Sequence, residues 1–403
     1  MQGAHVALID RAGYLGGISV SVLDTFYGFY CPGEAQRKVV GGIPDLVVAR
    51  LKEWDAAIER PNTYGAGKGI TYDPEILKVV WENLAIKNGV QILFHTLFVD
   101  VIKDKNGQIN GAVVINKSGM RRIMAKALVD ASGDGDVAYK AGAVFEDWRS
   151  APVQSLTTTF RVGRVDHERA ILVKKDALWA LMKDASNSGA YTLPRLEGSV
   201  HITPYRGIMA TNMVRMRIED PTDPVALSAA EIEGRKQAME YFRFLKDKVP
   251  GYQDSILLNF STYIGIRESR RIHGDYWLTR DDVVQARKQD DAIALCGAPI
   301  EEHHSGDDTR WEYLPEGTTY DIPYRSLLPL GVEGVALAGR CLSASHDAHA
   351  SVRSMGQCMA MGQAAGIAAA LAAANAITPR AINVNSLQAE LIRLGAVLER
   401  GTI

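Results

Sequence analysis

The chain has 403 residues, of which 47% are hydrophobic, so it can form one large domain or two to three ordinary ones with a substantial core. Its formal net charge is −2 and no basic block occurs, which argues against a nucleic-acid-binding protein, since such proteins gain much of their affinity by neutralising phosphates. The four cysteines form no CxxC pair, which argues against a zinc ribbon or an iron–sulfur centre and favours a reducing, cytoplasmic location.

The N-terminal segments predict a strand followed by two helices. Residues 5–9 are short, apolar and followed by an acid, which is typical of a buried parallel strand. Residues 44–59 carry an apolar stripe at helical spacing and predict the first helix. Asp73 and Pro74 predict the start of the second, because an acid caps the helix and proline suits its first turn. That helix is expected to end near Gly89.

A three-stranded antiparallel meander is predicted next. Its strands cover residues 97–102, 109–115 and 121–125, and turn signals at Asn106-Gly107 and Ser118-Gly119 separate them. A further buried strand at 127–129 leads into the small-residue loop 130–136.

The sequence changes character at about residue 150 and changes back near Gly331. Polar and apolar residues alternate between these points, and one long helix is predicted over about 228–248. The predicted organisation is therefore a first domain built from residues 1–149 and 325–403, with a second, α+β substrate domain at 150–324. The alanine-rich helix near the C-terminus is expected to pack within the protein rather than to span a membrane, since it lacks basic flanking anchors.

Three loops carry residues that suit a dinucleotide. Asp10, at the end of a strand, can accept hydrogen bonds from ribose hydroxyls, although a helix cap or a loop charge is the alternative. The loop 130–136 precedes a helix N-terminus whose dipole favours an anion, or it is an ordinary turn. Backbone amides at the start of the final long helix can stabilise negative charge on a reduced isoalloxazine ring, and Arg353 can add to this; a solvated or structural salt bridge is the alternative for Arg340 and for Arg353.

Taken in order, these segments resemble the FAD-dependent oxidoreductase family whose nucleotide-binding domain is of the glutathione-reductase type. Fumarate reductases and ketosteroid dehydrogenases are among its relatives. The segments that carry the resemblance are residues 7–11 with 15–17, 130–136, 265–270, 324–328, 338–341 and 362–366.

The resemblance implies an α/β fold, with a dinucleotide-binding parallel sheet and a three-stranded β-meander in the first domain and α+β structure in the second. It implies FAD as the cofactor. The residues it assigns to FAD are Asp10, Arg11, Gly16, Gly17, Val99, Ala131, Ser132, Gly133, Asp134, Gly339, Arg340, Met355, Gly362, Gln363 and Ala364. In this fold a GxGxxG loop precedes the ribose-binding acid by about 20 residues. Only nine residues precede Asp10, so the first strand and that loop are expected to be absent from this chain.

Four residues are candidates for the chemistry. His346 and His349 precede the last long helix, where a histidine with a pKa near neutrality can accept a proton while a hydride leaves for the flavin; a polar loop role is the alternative. Arg267 and Arg353 are candidates for anchoring an anionic substrate or stabilising charge. The histidines and acids at 301–308 fit no standard ligand set, so no metal site is predicted.

The predicted function is an FAD-dependent oxidoreductase that transfers a hydride between a small organic substrate and flavin N5 and passes electrons to an acceptor. A catalytically inactive remnant of such a fold, or a binding protein, is the alternative. A homo-oligomer is expected from size alone.

Overall fold

The computed structural model describes residues 3–33, 36–62, 67–303 and 309–399. Within them the protein is a mixed α/β fold with several small sheets. The strands of the N-terminal part are β1 (Ala7–Ile9), β2 (Thr25–Phe26), β3 (Ala57–Pro61), β4 (Lys68–Tyr72), β5 (Gln91–Leu93), β6 (Leu97–Lys103), β7 (Ile109–Asn116), β8 (Gly119–Met124), β9 (Leu128–Asp130) and β10 (Phe145–Glu146).

The remaining strands are β11 (Phe160–Gly163), β12 (Ser199–Ile202), β13 (Met209–Asn212), β14 (Ile256–Phe260), β15 (Arg271–Ile272), β16 (Ala292–Cys296), β17 (Ile300–Glu302), β18 (Arg310–Glu312), β19 (Tyr320–Pro323) and β20 (Val335–Leu337). The helices are α1 (Ile18–Ser21), α2 (Ile43–Lys52), α3 (Pro74–Lys87), α4 (Asp136–Lys140), α5 (His167–Ala170), α6 (Lys175–Asn187), α7 (Pro224–Lys248), α8 (Arg280–Val284), α9 (His346–Val352), α10 (Met355–Asn375) and α11 (Val384–Arg393). Short 3₁₀ helices cover Tyr324–Leu327 and Pro379–Ala381.

Four strands form two parallel pairs, and the second pair joins an N-terminal strand to a C-terminal one. β1 pairs with β5, and β9 pairs with β20. Among the described residues these strands form two separate two-stranded sheets, whereas the sequence predicted one parallel sheet. Pairing of β9 with β20 brings the loops at 131–134 and 338–340 together, because the carboxyl ends of parallel strands meet at one edge.

The antiparallel elements follow the turn chemistry of the sequence. The predicted meander is confirmed as β6, β7 and β8, paired in that order. The predicted second helix is confirmed as α3, and the Asp73 side chain accepts hydrogen bonds from the backbone N–H groups of Glu75 and Ile76. This cap satisfies donors that have no partner within the helix.

The predicted helix over 44–59 is wrong in its second half. α2 ends at Lys52, and Asp55 has a φ of 51°, in the left-handed region. The chain then forms β3, which pairs with β4 along its whole length. Strand pairing overrides the apolar periodicity here, since periodicity reports burial and not which backbone partner is available.

Two main hydrophobic cores organise the molecule. One includes side chains from both chain ends together with residues 278–328, for example Leu51, Leu295 and Ala364. The other lies within residues 156–264, where α6 and α7 pack with the sheet ordered β12-β13-β11-β14. The predicted domain limits at 150 and 324 stay a prediction, although β16 and β19 contribute to the first core.

Helix α10 is long and apolar enough to cross a membrane by length and composition alone. Half of its most apolar window is buried inside the protein, as in the core helix of a soluble fold, so the property is weak evidence for a membrane span.

Candidate functional site

A large cleft of about 2290 Å³ runs between the parallel strand pairs, α10 and the second core. The volume exceeds the about 300–1,000 Å³ of common small-molecule pockets, so it can hold more than one small ligand. The cleft is lined by most of the residues that the sequence assigned to a site, namely Asp10, Arg11, Gly16, Gly17, Ala131, Ser132, Gly133, Asp134, Arg267, Gly339, Arg340, Arg353, Met355, Gly362 and Gln363.

Asp10 lies at one wall, directly after β1. One of its carboxylate oxygens accepts a hydrogen bond of 2.8 Å from the backbone N–H of Ala12. Burial raises the pKa of the Asp10 carboxyl, and the Ala12 hydrogen bond opposes this shift. The side chain is only partly buried, so further donors can reach it from the cleft. The following glycines, Gly16 and Gly17, have φ values of 113° and 54°, which glycine adopts without strain.

The loop after β9 forms the opposite wall. The Asp130 carboxylate is 1% exposed and accepts hydrogen bonds from the backbone N–H groups of Val137 (2.9 Å) and Ala138 (3.0 Å). The N-terminus of α4 is therefore capped by the chain itself. The sequence suggested that the dipole at this helix N-terminus favours an anion. In the structure the carboxylate of Asp130 already takes that place.

Asp134 and Arg340 form an ion pair that joins the two parallel-strand loops. Arg340 Nη2 lies 2.7 Å from Asp134 Oδ1, and Ser269 Oγ donates to the same oxygen over 2.6 Å. Burial alone would raise the pKa of Asp134, but the charge of Arg340 and these hydrogen bonds lower it. Gly133 packs against the Arg340 guanidinium, so a larger residue there would displace the ion pair.

One face of α10 lines the cleft with small residues. A Cβ built on Gly362 or Gly366 would meet no heavy atom within 4 Å, so this face is open to the cleft. Near the start of the helix, the backbone N–H of Gly356 donates to Tyr27 O over 2.9 Å. Gln363 also reaches the cleft, but its Oε1 accepts a hydrogen bond from the backbone N–H of Ile43 and so caps α2.

Four predicted residues do not line the cleft. Val99 lies in β6, whose neighbouring residues Leu97 and Phe98 do line it. Ala364 is fully buried in the first core. His346 and His349, the two candidate proton acceptors, lie in α9.

His346 is held between two carboxylates. Its Nδ1 lies 2.9 Å from Glu268 Oε1 and its Nε2 lies 3.1 Å from Glu302 Oε1. Burial alone would lower the pKa of His346, but the Glu268 and Glu302 contacts raise it. Glu302, His346 and Asp347 offer possible metal-ligand atoms within 4.8 Å of one another. In the structure, however, both ring nitrogens of His346 already form hydrogen bonds with carboxylates. This engagement by carboxylates leaves neither nitrogen free to take a proton from a substrate, so the catalytic role of His346 stays a prediction that this geometry does not favour.

His349 is fully buried, and its Nε2 donates to Arg340 O over 2.8 Å. Its Nδ1 is buried and has no hydrogen-bond partner among the described residues. Burial lowers the pKa of His349 to about 3, so the ring is neutral at pH 7. It positions the loop that carries Arg340, and a catalytic role for it likewise stays a prediction.

The structure adds residues that the sequence did not single out. Tyr27, Glu301, Cys358 and Met359 line the cleft. Cys358 and Met359 lie on the face of α10 that carries Met355 and Gly362, and a helical wheel would have found them. Glu301 and Tyr27 arrive from distant segments, which no local pattern indicates. Of the acids and histidines at 301–308, residues 304–308 lie outside the described part of the chain.

The chain is similar to one protein family and to several solved structures. A family model described as FAD dependent oxidoreductase matches residues 1–391. A comparison with curated proteins found no significant match. Among solved structures, a triple mutant of the flavin-dependent brominase Bmp2 is similar at 14% identity and a TM-score of 0.43, over 97% of this chain and 79% of that one.

Two further solved structures have comparable scores. BexE, studied for oxidation during BE-7585A biosynthesis, has 14% identity and a TM-score of 0.47 over 98% of this chain and 62% of that chain. A geranylgeranyl bacteriochlorophyll reductase-like protein from Thermoplasma acidophilum has 13% identity and a TM-score of 0.42 over 98% of this chain and 77% of that one. At these scores the likeness carries no argument about mechanism.

Proposed function

The chain belongs to the family of FAD dependent oxidoreductases, whose cofactor is FAD, and we propose that it is a dehydrogenase that binds FAD along the large cleft and oxidises or reduces a small organic substrate by hydride transfer. The observation that carries this proposal is that Asp10, the loops after β9 and β20, and the open face of α10 line one cleft although they are far apart in sequence.

The residues present fit the cofactor. Asp10 offers a partly buried carboxylate with room for a hydroxyl donor, and a neutral donor there offsets the burial that raises its pKa. Gly362 and Gly366 leave the surface of α10 open to close approach by a ligand backbone. Asp10 would hold the ribose, the glycine loops would approach the diphosphate, and Met355 with the start of α10 would contact the ring system.

When bound, FAD would supply a two-electron carrier. The chain contributes the surroundings. Arg353 precedes α10 and lines the cleft, so its positive charge and the amides at the helix start favour negative charge near that point. Ile264 and Ile266 of the second core also line the cleft, and their apolar side chains would keep water from that part of it.

Cofactor binding is tested by titrating the purified, FAD-free chain with FAD and following flavin fluorescence. Asp10→Ala is expected to weaken binding by roughly ten- to 150-fold, since it removes a hydrogen-bond acceptor that is charged. Asp281→Ala is the matched control, because Asp281 is an exposed acid of α8 that pairs with Arg280, and none of the residues of α8 lines the cleft. Equal affinities for all three proteins, or no FAD uptake by any of them, would contradict the proposed site.

The reaction type is tested on the FAD-loaded chain without oxygen. A dehydrogenase is expected to lose its flavin absorbance on mixing with the substrate alone. Loss of absorbance only with a nicotinamide cofactor, followed by oxygen incorporation into the substrate, would instead identify a monooxygenase. A loaded protein that no substrate or reductant bleaches would support an inactive binding protein.

A further inference from the structure

Two arginines face the large cleft without a carboxylate partner. Arg267 and Arg353 both line it, and neither forms an ion pair with a carboxylate in the described part of the chain. Their neighbours in sequence behave differently, since Arg270 pairs with Asp136 over 3.0 Å and Arg271 pairs with Glu146 over 2.9 Å. Arg270 and Arg271 therefore stabilise the fold, whereas Arg267 and Arg353 are available to a ligand.

Neutral groups accept the hydrogen bonds of both guanidinium groups. Arg267 Nη1 donates to the backbone carbonyl of Ser155 over 2.7 Å. Arg353 Nη2 donates to Gln154 Oε1 over 2.9 Å and to the Glu301 carbonyl over 3.1 Å. These acceptors orient the guanidinium groups but do not neutralise them. Arg353 Nε is buried and has no acceptor among the described residues.

The local electrostatics leave positive charge to be compensated. Burial, then the charges of Arg353 and Arg195, lower the pKa of Arg267 to about 9, so the group stays cationic at pH 7 but its cationic form is less favourable than in water. An anion beside Arg267 would relieve this cost. Burial also lowers the pKa of Arg353, and the charge of Glu301 opposes that shift.

Glu301 supplies one negative charge beside the pair. Burial alone would raise the pKa of Glu301, but the charge and hydrogen bond of His303 and the charges of both arginines lower it to about 2. His303 Nε2 lies 2.9 Å from Glu301 Oε1, and burial with the charge of Arg267 lowers the pKa of His303 well below its usual value. At neutral pH, Arg267 and Arg353 therefore carry more positive charge than Glu301 offsets, and the charges of Arg195 and Arg215 add to it near Arg267.

We infer that the substrate carries a carboxylate, and that Arg267 and Arg353 bind it. This inference rests on the proposed function, because it assigns the substrate of the same cleft. An anion compensates the positive charge of the arginines, and a carboxylate adds only one negative charge beside Glu301, where a phosphate at neutral pH adds up to two. Two planar guanidinium groups also match the two oxygens of a carboxylate.

The test measures binding rather than turnover. Benzoate and acetate are titrated into the purified full chain and followed by ligand-observed NMR, each against its neutral amide, benzamide or acetamide, and against inorganic phosphate. The carboxylates are expected to bind at least about tenfold more tightly than the amides, because the amides lose the charge-assisted hydrogen bonds. Amides that bind as well as the acids, or phosphate that displaces benzoate at equal concentration, would overturn the assignment.

Variants locate the site. Arg267→Leu and Arg353→Leu are each expected to weaken benzoate binding by about tenfold or more, and Arg267→Lys to weaken it less, since lysine keeps the charge but loses the fork. Arg235→Leu is the matched control, because Arg235 lies on the exposed surface of α7 and pairs with Glu231. Unfolding midpoints measured for each variant show that a loss is not due to unfolding. Unchanged benzoate affinity in folded Arg267→Leu and Arg353→Leu proteins would refute the inference.

Comparing the FAD-free and FAD-loaded chains separates the two proposals. If the chain takes up FAD but benzoate binds neither form, the carboxylate site is wrong and the flavoprotein proposal stands. If the chain takes up no FAD, the proposed function fails. The inference that the substrate carries a carboxylate then fails with it, even if the arginines bind benzoate.

Discussion

Replacing Glu268 by glutamine is expected to lower the free energy of unfolding by about 3 kcal/mol. Glu268 is fully buried and contacts three donors, the guanidinium of Arg271, His346 Nδ1 at 2.9 Å and the backbone N–H of Gln154 at 3.0 Å. Burial alone would raise the pKa of Glu268, but the His346 hydrogen bond and the nearby positive charges lower it to about 2.

The magnitude follows from that pKa. An ordinary glutamate has a pKa of 4.5, and each tenfold change in proton affinity is worth about 1.4 kcal/mol, so the folded protein favours the ionised form by about 3 kcal/mol. Removing one partner from a buried ion pair costs about 3–5 kcal/mol in other proteins, which agrees. Glutamine keeps the shape of the side chain, so the loss reports the charge.

Urea unfolding at pH 7, with matched m-values, measures the difference between Glu268→Gln and the parent protein. Glu240→Gln is the control, since Glu240 pairs with Arg243 at the surface of α7 and is expected to lose less than about 1 kcal/mol.

The pH dependence gives a second check on the sign. Because the folded pKa of Glu268 lies below the unfolded value, its contribution is complete above about pH 4.5 and is lost as the pH falls toward about 2. The difference between parent and variant should therefore shrink by about 1 kcal/mol on going from pH 7 to about pH 3.5. Equal stabilities at pH 7, or a difference that does not change over this range, would refute the reasoning.

Four further variants test other parts of the structure. Because the pKa of His346 is raised, the stability that its charge contributes is lost as the pH rises above 6.5. The melting temperature of His346→Gln should therefore fall less than that of the parent protein between about pH 6 and about pH 9. An unchanged slope would contradict this. Gly28→Ala should destabilise by at least about 2 kcal/mol in urea unfolding, because Gly28 has a φ of 82° and a Cβ there would overlap Gln357 Oε1. Gly317→Ala, with a φ of 71° but open space, should cost only about 1 kcal/mol, and equal losses for the two would show that the contact with Gln357 is unimportant. Gly366→Leu should leave the melting temperature of the FAD-free protein unchanged or higher, since a helix interior disfavours glycine by up to about 1 kcal/mol. The leucine side chain should fill the open face of α10 and so lower the ratio of bound flavin to protein. Full flavin content would show that this face of α10 is not part of the site.

The sequence by itself determined the elements whose signals are local. The start of α3 follows from Asp73 and Pro74, and the meander follows from its two turn signals, because a cap or a tight turn is made by residues adjacent in the chain. Asp10 and Gly339, which the sequence assigned to FAD, both line the large cleft, and their role in binding stays a prediction.

Only the tertiary structure decided which charged side chains are available to bind a ligand. Arg267 and Arg271 are four positions apart in one polar segment, yet Arg271 is buried against Glu268 and Glu146 while Arg267 faces the cleft without a carboxylate partner in the described residues. His346 had the residue type and position of a proton acceptor, but carboxylates from two distant segments hold both of its nitrogens. The charge and accessibility of an ionisable group depend on neighbours within a few ångströms in space, and folding brings those neighbours from parts of the chain that no local pattern connects.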